Sequence, residues 1–241
     1  RSFLRLFASI CRMRSADTPN SAAKSCSVSE SFSRSQRASM MRRLRSLPTI
    51  GSRSSGQRMP QRISAVILDV TSEADVEALA AALPDRLDAV VNNAGIAVAG
   101  PVETLTPADW RKQLDVNVVG QFAVTAALLP KLRASGGRVV FISSVNGQLS
   151  TPMLGAYAAS KFALTGLTEG LWLDLEGSNI HCAAVHVGPI DTEIWDQPGN
   201  DPAAYAGPLE PPSLVADAIV EAIEGDRFER YAPDLGAIVE W

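Results

Sequence analysis

Tyr157-Ala158-Ala159-Ser160-Lys161 sets a phenol and an ammonium four residues apart. On a helix, positions i and i+4 share a face, so both groups can enter one cleft. A free tyrosine titrates at about 10. A fixed cation beside it favours phenolate and brings acid–base chemistry towards neutral pH. An ordinary helix surface is the plainer alternative for this spacing alone.

Other polar residues fall where strands should end. Ser143-Ser144 directly follows the apolar run Arg138–Ile142. Side chains at the carboxyl ends of parallel strands face a ligand crevice. A hydroxyl there can hold a carbonyl or alcohol oxygen beside a tyrosine, or it can simply cap a turn. Asn92-Asn93-Ala94-Gly95 ends the run Leu87–Val91, and its small residues would let backbone approach a ligand. Gly188-Pro189-Ile190-Asp191-Thr192 follows Ile180–Val187 in the same way. In both cases a plain turn is the alternative. Asn117 sits within a helical stretch, where asparagine is mildly unfavourable, so it suggests a special task.

The elements that must position these groups can be read from the pattern. Ile63–Leu68, Leu87–Val91, Arg138–Ile142, Ile180–Val187 and Phe228–Ala232 are short apolar runs predicted as strands. Helices are predicted over Ser72–Leu83, from Thr106 to Arg133, from Gly155 to Glu176 and over Ser213–Glu224. Thr106-Pro107-Ala108-Asp109 supplies a cap, a proline at the first helical position and an acid in the first turn. Strands alternating with helices predict an α/β fold: a Rossmann-like, doubly wound parallel sheet with helices on both faces.

In order and spacing, Asp69, Asn92-Asn93-Ala94-Gly95, Asn117, Ser144, Tyr157-xxx-Lys161 and Gly188-Pro189-Ile190-xxx-Thr192 resemble the short-chain dehydrogenase/reductases over residues 63–241. The resemblance implies hydride transfer between an alcohol and a ketone or aldehyde, with NAD or NADP as cofactor. It implies Tyr157 as general acid/base, and Lys161 as the group that lowers its pKa and bonds the nicotinamide ribose. It further implies that Ser144 positions the substrate oxygen and that Asn117 holds a water of the proton relay. Asp69 and Val70 would border the adenine, Asn92, Ala94 and Gly95 the adenosine side, and Gly188, Ile190 and Thr192 the nicotinamide. Val187-Gly188 replaces the family's common Pro-Gly, with the glycine kept. A homodimer or homotetramer paired through the long helices is also implied.

The upstream part departs from this pattern. The family starts with a strand, a Gly-rich turn and a helix whose backbone amides cradle the pyrophosphate. Here no glycine precedes Gly51, and the corresponding stretch offers only Asp17-Thr18-Pro19-Asn20-Ser21. The first βαβ unit (residues 1–62) is therefore read as atypical or missing, which would leave the sheet split and the edge of Leu87–Val91 unpaired. Residues 1–62 carry thirteen basic residues and two acids, a net of +11, whereas 63–241 carry nine basic and 24 acidic residues, a net of −15. We expect a poorly ordered basic segment followed by a catalytic domain. A wrong-frame translation or mis-called start is the preferred account of residues 1–62. A transit peptide over the Arg-rich, acid-free Arg1–Arg14 and a natural variant are the others. The chain starts at Arg1, not Met, and its stop at Trp241, soon after the last candidate strand, reads as a clipped end. Little or no activity is expected of the chain as written.

The remaining features exclude more than they suggest. The mild net charge of −4 argues against a nucleic-acid or membrane partner for the whole chain. Three cysteines without CxxC spacing fit a reducing compartment, with Cys182 buried. A cytoplasmic location is expected, or an organelle if the transit peptide is real. No metal-ligand spacing occurs, and His181 and His186 are expected in the core. A non-catalytic binding or scaffold protein with a basic N-terminal arm is the rival from another class. A Ser/Lys hydrolase is weaker, because neither Gly-x-Ser-x-Gly nor Ser-x-x-Lys surrounds Ser144. The segment Glu193–Pro212, with Ile194, Trp195 and Tyr205, suggests an apolar or aromatic alcohol as substrate.

Overall fold

A computed structural model of the protein describes residues 68–195 and 207–234, together with the backbone of Arg5–Ala8. Chain order gives strand β1 (Arg5–Ala8), helix α1 (Glu73–Ala82), β2 (Ala89–Asn92), α2 (Pro107–Leu114), a π-helical segment (Asp115–Gly120) and α3 (Gln121–Arg133). Then come β3 (Arg138–Ile142), α4 (Gly155–Asp174), β4 (His181–Val187), α5 (Pro212–Glu224) and β5 (Glu229–Ala232). Short 3-10 turns occupy Val145–Gly147 and Glu193–Trp195.

The five strands form one parallel sheet in the order β1-β2-β3-β4-β5. Alternation along the strands divides the core. Val90, Val139, Phe141 and Cys182 point to one face and pack under α1, α3 and α4 through Leu79, Val124, Leu128, Leu132 and Leu164. Ala89, Val91, Val140, Ile142, Ala183 and Val185 point to the other, under Val215, Ile219, Ala222 and Ile223 of α5. A sheet covered on both faces needs near-continuous apolar strands, which is what β2 and β3 provide. Each fully buried Val, Leu, Ile or Phe contributes about 1.5–3 kcal/mol. The α/β doubly wound class expected from the sequence is the fold observed.

Helix starts follow their capping chemistry. Ser72 Oγ accepts the Asp75 N–H at 3.2 Å and opens α1. At α2, Thr106 Oγ1 accepts from Asp109 N at 3.3 Å, and the Asp109 carboxylate accepts from Thr106 N at 2.9 Å, a closed capping box with Pro107 in the first turn.

Three expectations need correction. First, the helix expected from Thr106 to Arg133 is not one α-helix: Asp115–Gly120 winds with π geometry. A tight contact accompanies it, since a Cβ on Gly120 would lie 2.5 Å from Val70 Cγ2. Secondly, β2 is displaced towards Asn92, because Leu87 N–H is spent on the Lys131 carbonyl at 3.1 Å, outside the ladder. Thirdly, the sheet is not left split beside β2. Arg5–Ala8, within the segment expected to be poorly ordered, pairs in parallel with Ala89–Asn92. Ladder bonds come from backbone and are indifferent to the arginines that made this run look unsuitable. The expected strand Ile63–Leu68 lies outside the described residues except for Leu68, which is buried.

Candidate active site

Tyr157 and Lys161 stand one turn apart near the start of α4, each 5% exposed. Ser144 follows β3 and opens the turn Val145–Gly147. Its Oγ accepts the Asn146 N–H at 3.1 Å and donates to the Val187 carbonyl at 3.2 Å. It also lies near enough to the Tyr157 hydroxyl to favour the phenolate. The sequence therefore brings Ser144, Tyr157 and Lys161 together as expected.

The electrostatics differ from the expectation. Burial pushes the Tyr157 phenol up to about 12, and the Ser144 hydroxyl only partly opposes this. Burial also pulls the Lys161 ammonium down to about 8. Lys161 Nζ donates to the Ile142 carbonyl at 2.9 Å and lies 5.7 Å from the Tyr157 ring centroid. Desolvation here outweighs the cation's pull on the phenol, so Tyr157 rests as an acid.

Asn117 is fully buried in the π-helical segment. Its Oδ1 accepts Ile96 N–H at 2.8 Å, and its Nδ2 donates to Ile96 O and to Ser160 Oγ, both at 2.9 Å. Both amide hydrogens are thus engaged, and the side chain has none left to give a relay water. Its visible task is to clamp the loop after β2 onto α4. π-Helical turns recur at functional sites, and this one carries the residue that mid-helix placement had flagged.

The clamp has members that sequence reasoning missed. Ser160 Oγ passes the contact on to the Tyr157 carbonyl at 2.7 Å. Gln113, fully buried one turn before Asn117, accepts Val98 N–H at 3.0 Å and donates to Val98 O at 3.4 Å. Amide side chains four residues apart on one helix thus grip Ile96 and Val98, two residues apart on the loop. The signal available was a polar residue at a helical spacing otherwise apolar.

The expected cofactor-side residues separate. Asn92 is buried, its Nδ2 donates to Thr125 Oγ1 at 2.8 Å, and its Oδ1 has no partner among the described residues. Ala94 is buried and its carbonyl accepts from Gln121 Nε2 at 2.5 Å. A Cβ on Gly95 would lie 3.5 Å from Asn117 Oδ1 and 3.9 Å from Lys161 Nζ, so this glycine borders the Lys161 ammonium. Val70 is buried against Gly120. The Asp69 carboxylate closes its own turn by accepting from Thr71 N at 2.9 Å and Thr71 Oγ1 at 2.7 Å. A Cβ on Gly188 would meet Pro233 Cδ at 2.9 Å, so smallness here serves the approach of the β5 exit. The Ile190 side chain enters the core under α5 and leaves only its backbone for a ligand. Thr192 is half-buried. His186 is fully buried, whereas His181 is exposed at the edge of β4, 3.9 Å from Asp226, against the expectation that both lie in the core.

Lys161 is an ammonium with three protons and one hydrogen-bond partner among the described residues, which suits the ribose of the dinucleotide that the resemblance implies. Gly95 stands beside it. The phosphate end does not fit as well: the stretch after β1 reads Ser9-Ile10-Cys11-Arg12-Met13-Arg14, without the glycines a close backbone cradle needs.

An apolar wall completes the site. Ala97, Ala99 and Leu154 pack with Tyr157, and Ile194 and Trp195 close over them. The Trp195 and Tyr157 rings meet edge-on at 5.5 Å and 69°. Among the described residues no His/Cys/Asp/Glu group could hold a metal, and no helix is long and apolar enough to cross a membrane.

Comparison with known proteins points the same way. The chain is 39% identical over 142 residues to the 3-amino-tetrahydro-pyrrolizinone reductase of Xenorhabdus hominickii, covering 57% of this chain and 50% of that protein. It is 35% identical over 158 residues to human retinol dehydrogenase 8, covering 61% and 51%. The chain thus spans about half the length of the curated relatives it matches. Among solved structures it resembles a short-chain dehydrogenase from Burkholderia cenocepacia J2315 in complex with NADP, with TM-score 0.65, 26% identity and coverage of 73% and 74%. It also resembles a short-chain dehydrogenase/reductase from Burkholderia phymatum in complex with NAD, with TM-score 0.64, 28% identity and coverage of 73% for both chains. The family model described as short chain dehydrogenase matches residues 45–202, beginning inside the basic segment that the sequence analysis set apart. With that match over more than half its length, the chain belongs to the short chain dehydrogenase family.

Proposed function

We propose that the protein is an NAD(P)-dependent oxidoreductase that interconverts an apolar alcohol and its ketone or aldehyde. The observation that carries this reading is the buried cluster of Tyr157, Ser144 and Lys161, with the serine hydroxyl acting on the phenol and the Lys161 ammonium one turn away. A nicotinamide, when bound, supplies or accepts the hydride. The chain's own residues handle the proton. In reduction, Tyr157 donates its hydroxyl proton to the substrate oxygen, while Ser144 holds that oxygen in place. In oxidation the same phenol must first be ionised, and burial disfavours that state. The site is therefore better prepared for reduction at neutral pH. Lys161, with Gly95 beside it, is proposed to hold the ribose, and Asn117 and Gln113 to fix the loop that borders it.

The substrate class is inferred from the wall of Ala97, Ala99, Leu154, Ile194 and Trp195, which offers an apolar or aromatic molecule contact and few hydrogen bonds. Both NAD and NADP remain in the proposal. A homodimer or homotetramer would bury Phe122 of α3 and Phe162 of α4, which are 51% and 46% exposed.

The test is nicotinamide oxidation by the purified chain, with NADH and NADPH, against a panel of apolar ketones and aldehydes. Slow turnover is expected, reduced at least about 100-fold in Tyr157→Phe. Turnover that survives this substitution would refute the reading.

A further inference from the structure

His186 on β4 carries no motif, yet it is completely buried directly behind Ser144. Its Nδ1 lies 3.3 Å from the Ser144 carbonyl oxygen, and its Nε2 lies 3.2 Å from Glu229 Oε1. Neither partner has a proton to give. One is a backbone carbonyl that already accepts from Gly147 N–H at 2.8 Å. The other is a carboxylate that already accepts from Gln148 Nε2 at 3.4 Å and, through Oε2, from the Tyr231 hydroxyl at 3.3 Å.

Glu229 and Tyr231 both approach the ring from β5. The Tyr231 ring stacks on the imidazole with centroids 4.9 Å apart and planes 19° from parallel. Tyr231 remains a donor to Glu229, since burial and the neighbouring carboxylate hold its phenol above the usual range.

We propose that His186 is a positioning residue: seated between Glu229 and the Ser144 carbonyl, its ring fixes the turn that carries the Ser144 hydroxyl beside Tyr157. The same turn is anchored by Ser144 Oγ on the carbonyl of Val187, the residue after His186, so β4 holds serine by its backbone and by its side chain. The importance of this pin for turnover rests on the proposed dehydrogenase reading, but its existence does not.

The experiment is nitrogen-15 and carbon-13 NMR of the full chain, with Glu229→Gln, His186→Asn and His186→Leu as variants. The chain has two histidines, and the exposed His181 is the internal reference. The Ser144 carbonyl resonance should stay in Glu229→Gln, which keeps a polar partner for Nε2, and in His186→Asn, which keeps an N–H donor, and should move in His186→Leu. A Ser144 carbonyl unmoved in His186→Leu overturns the pin. If His186→Leu does not fold, a Ser144 carbonyl shifted in His186→Asn as far as in a Ser144→Ala control overturns it instead. In turnover, His186→Leu should lower kcat about tenfold with the nicotinamide KM unchanged, and His186→Asn should restore most of it. A KM that rises in step with the fall in kcat would contradict a pin acting on Ser144 alone. Wild-type chain without turnover would sink the dehydrogenase reading and leave the Ser144 carbonyl to decide this one.

Discussion

The stretch from β3 to Thr192 and the stretch before Leu68 supply the two ends of one proposed dinucleotide site, from unlike material. At the first end the key polar side chains have defined neighbours: Ser144 on Val187, Lys161 on Ile142, and Tyr157 beside Ser144. At the second, thirteen basic residues and no glycine before Gly51 stand where the family places a glycine-rich cradle. The difference sets the placement of Tyr157, Ser144 and Lys161 apart from the question of what would hold a dinucleotide's phosphates. Residues on α4 and at the ends of β3 and β4 are placed by the two apolar clusters that flank the sheet. A pyrophosphate cradle, by contrast, is made of backbone amides and needs its own glycines.

The largest expected effect is at the chemical end. Tyr157→Phe should lower turnover at least about 100-fold while leaving the melting temperature within a degree or two of the parent, because a buried hydroxyl is removed with its ring retained. A fold collapse in that variant would show that the well-built end depends on the hydroxyl for structure.

Lys161→Met sharpens the same contrast from the side of stability. The folded state lowers the lysine from 10.5 to about 8, so it binds this proton more weakly than the unfolded chain does. The penalty is fully present below about pH 8 and is relieved as pH rises from there towards 10.5. Stability of the parent should therefore climb across that window, and the variant's should not. Lys161→Met should gain up to about 3 kcal/mol at neutral pH, read by denaturant unfolding, and lose activity. A destabilised variant would mean that the bond to Ile142 outweighs desolvation.

Asn117→Leu should cost roughly 3 kcal/mol, since three buried hydrogen bonds are lost at about 1 kcal/mol each. Gln113→Leu should cost about 2 kcal/mol for the two it makes to Val98. Denaturant midpoints give both, and equal costs would argue against separate clamps.

The smallest expected difference is the most direct test of the comparison. Reduced nicotinamide mononucleotide lacks the adenylate half. If only the nicotinamide end of the site is built, it and NADH should bind within about threefold of each other by fluorescence titration, or under about 0.7 kcal/mol. A far tighter NADH complex would show that residues 1–62 hold the phosphates without a glycine turn.

The sequence was most informative where local chemistry decides. The capping box at Thr106 and the serine after β3 could be placed because caps and strand ends have short-range signatures. The approach of Tyr157 to Ser144 followed from the family pattern. What stayed hidden depends on contacts distant in sequence. The charge state of Tyr157 was misjudged because spacing reports the neighbouring lysine and not the burial that overrides it. Asn117 was singled out for its helix position, but its partners Ile96 and Ser160 lie 21 and 43 residues away. Gln113 and His186 looked like filler for the same reason. Arg5–Ala8 was discounted on composition, whereas strand pairing needed only four residues of extended backbone beside β2.

The π-helical turn at Asp115–Gly120 acts as a phase joint. An α-helix advances about 100° per residue, and a wider turn delays that advance. The amide pair Gln113 and Asn117 before and within the joint, and the apolar ridge Val124, Leu128 and Leu132 after it, are thereby each aimed at their own target. Rewound as plain α-helix with every residue kept, the six would advance further and throw the two faces out of step. The chain would then have to surrender either its grip on the loop after β2 or the seat of α3 on the sheet, which makes the winding of this helix, and not only its composition, a condition for the site.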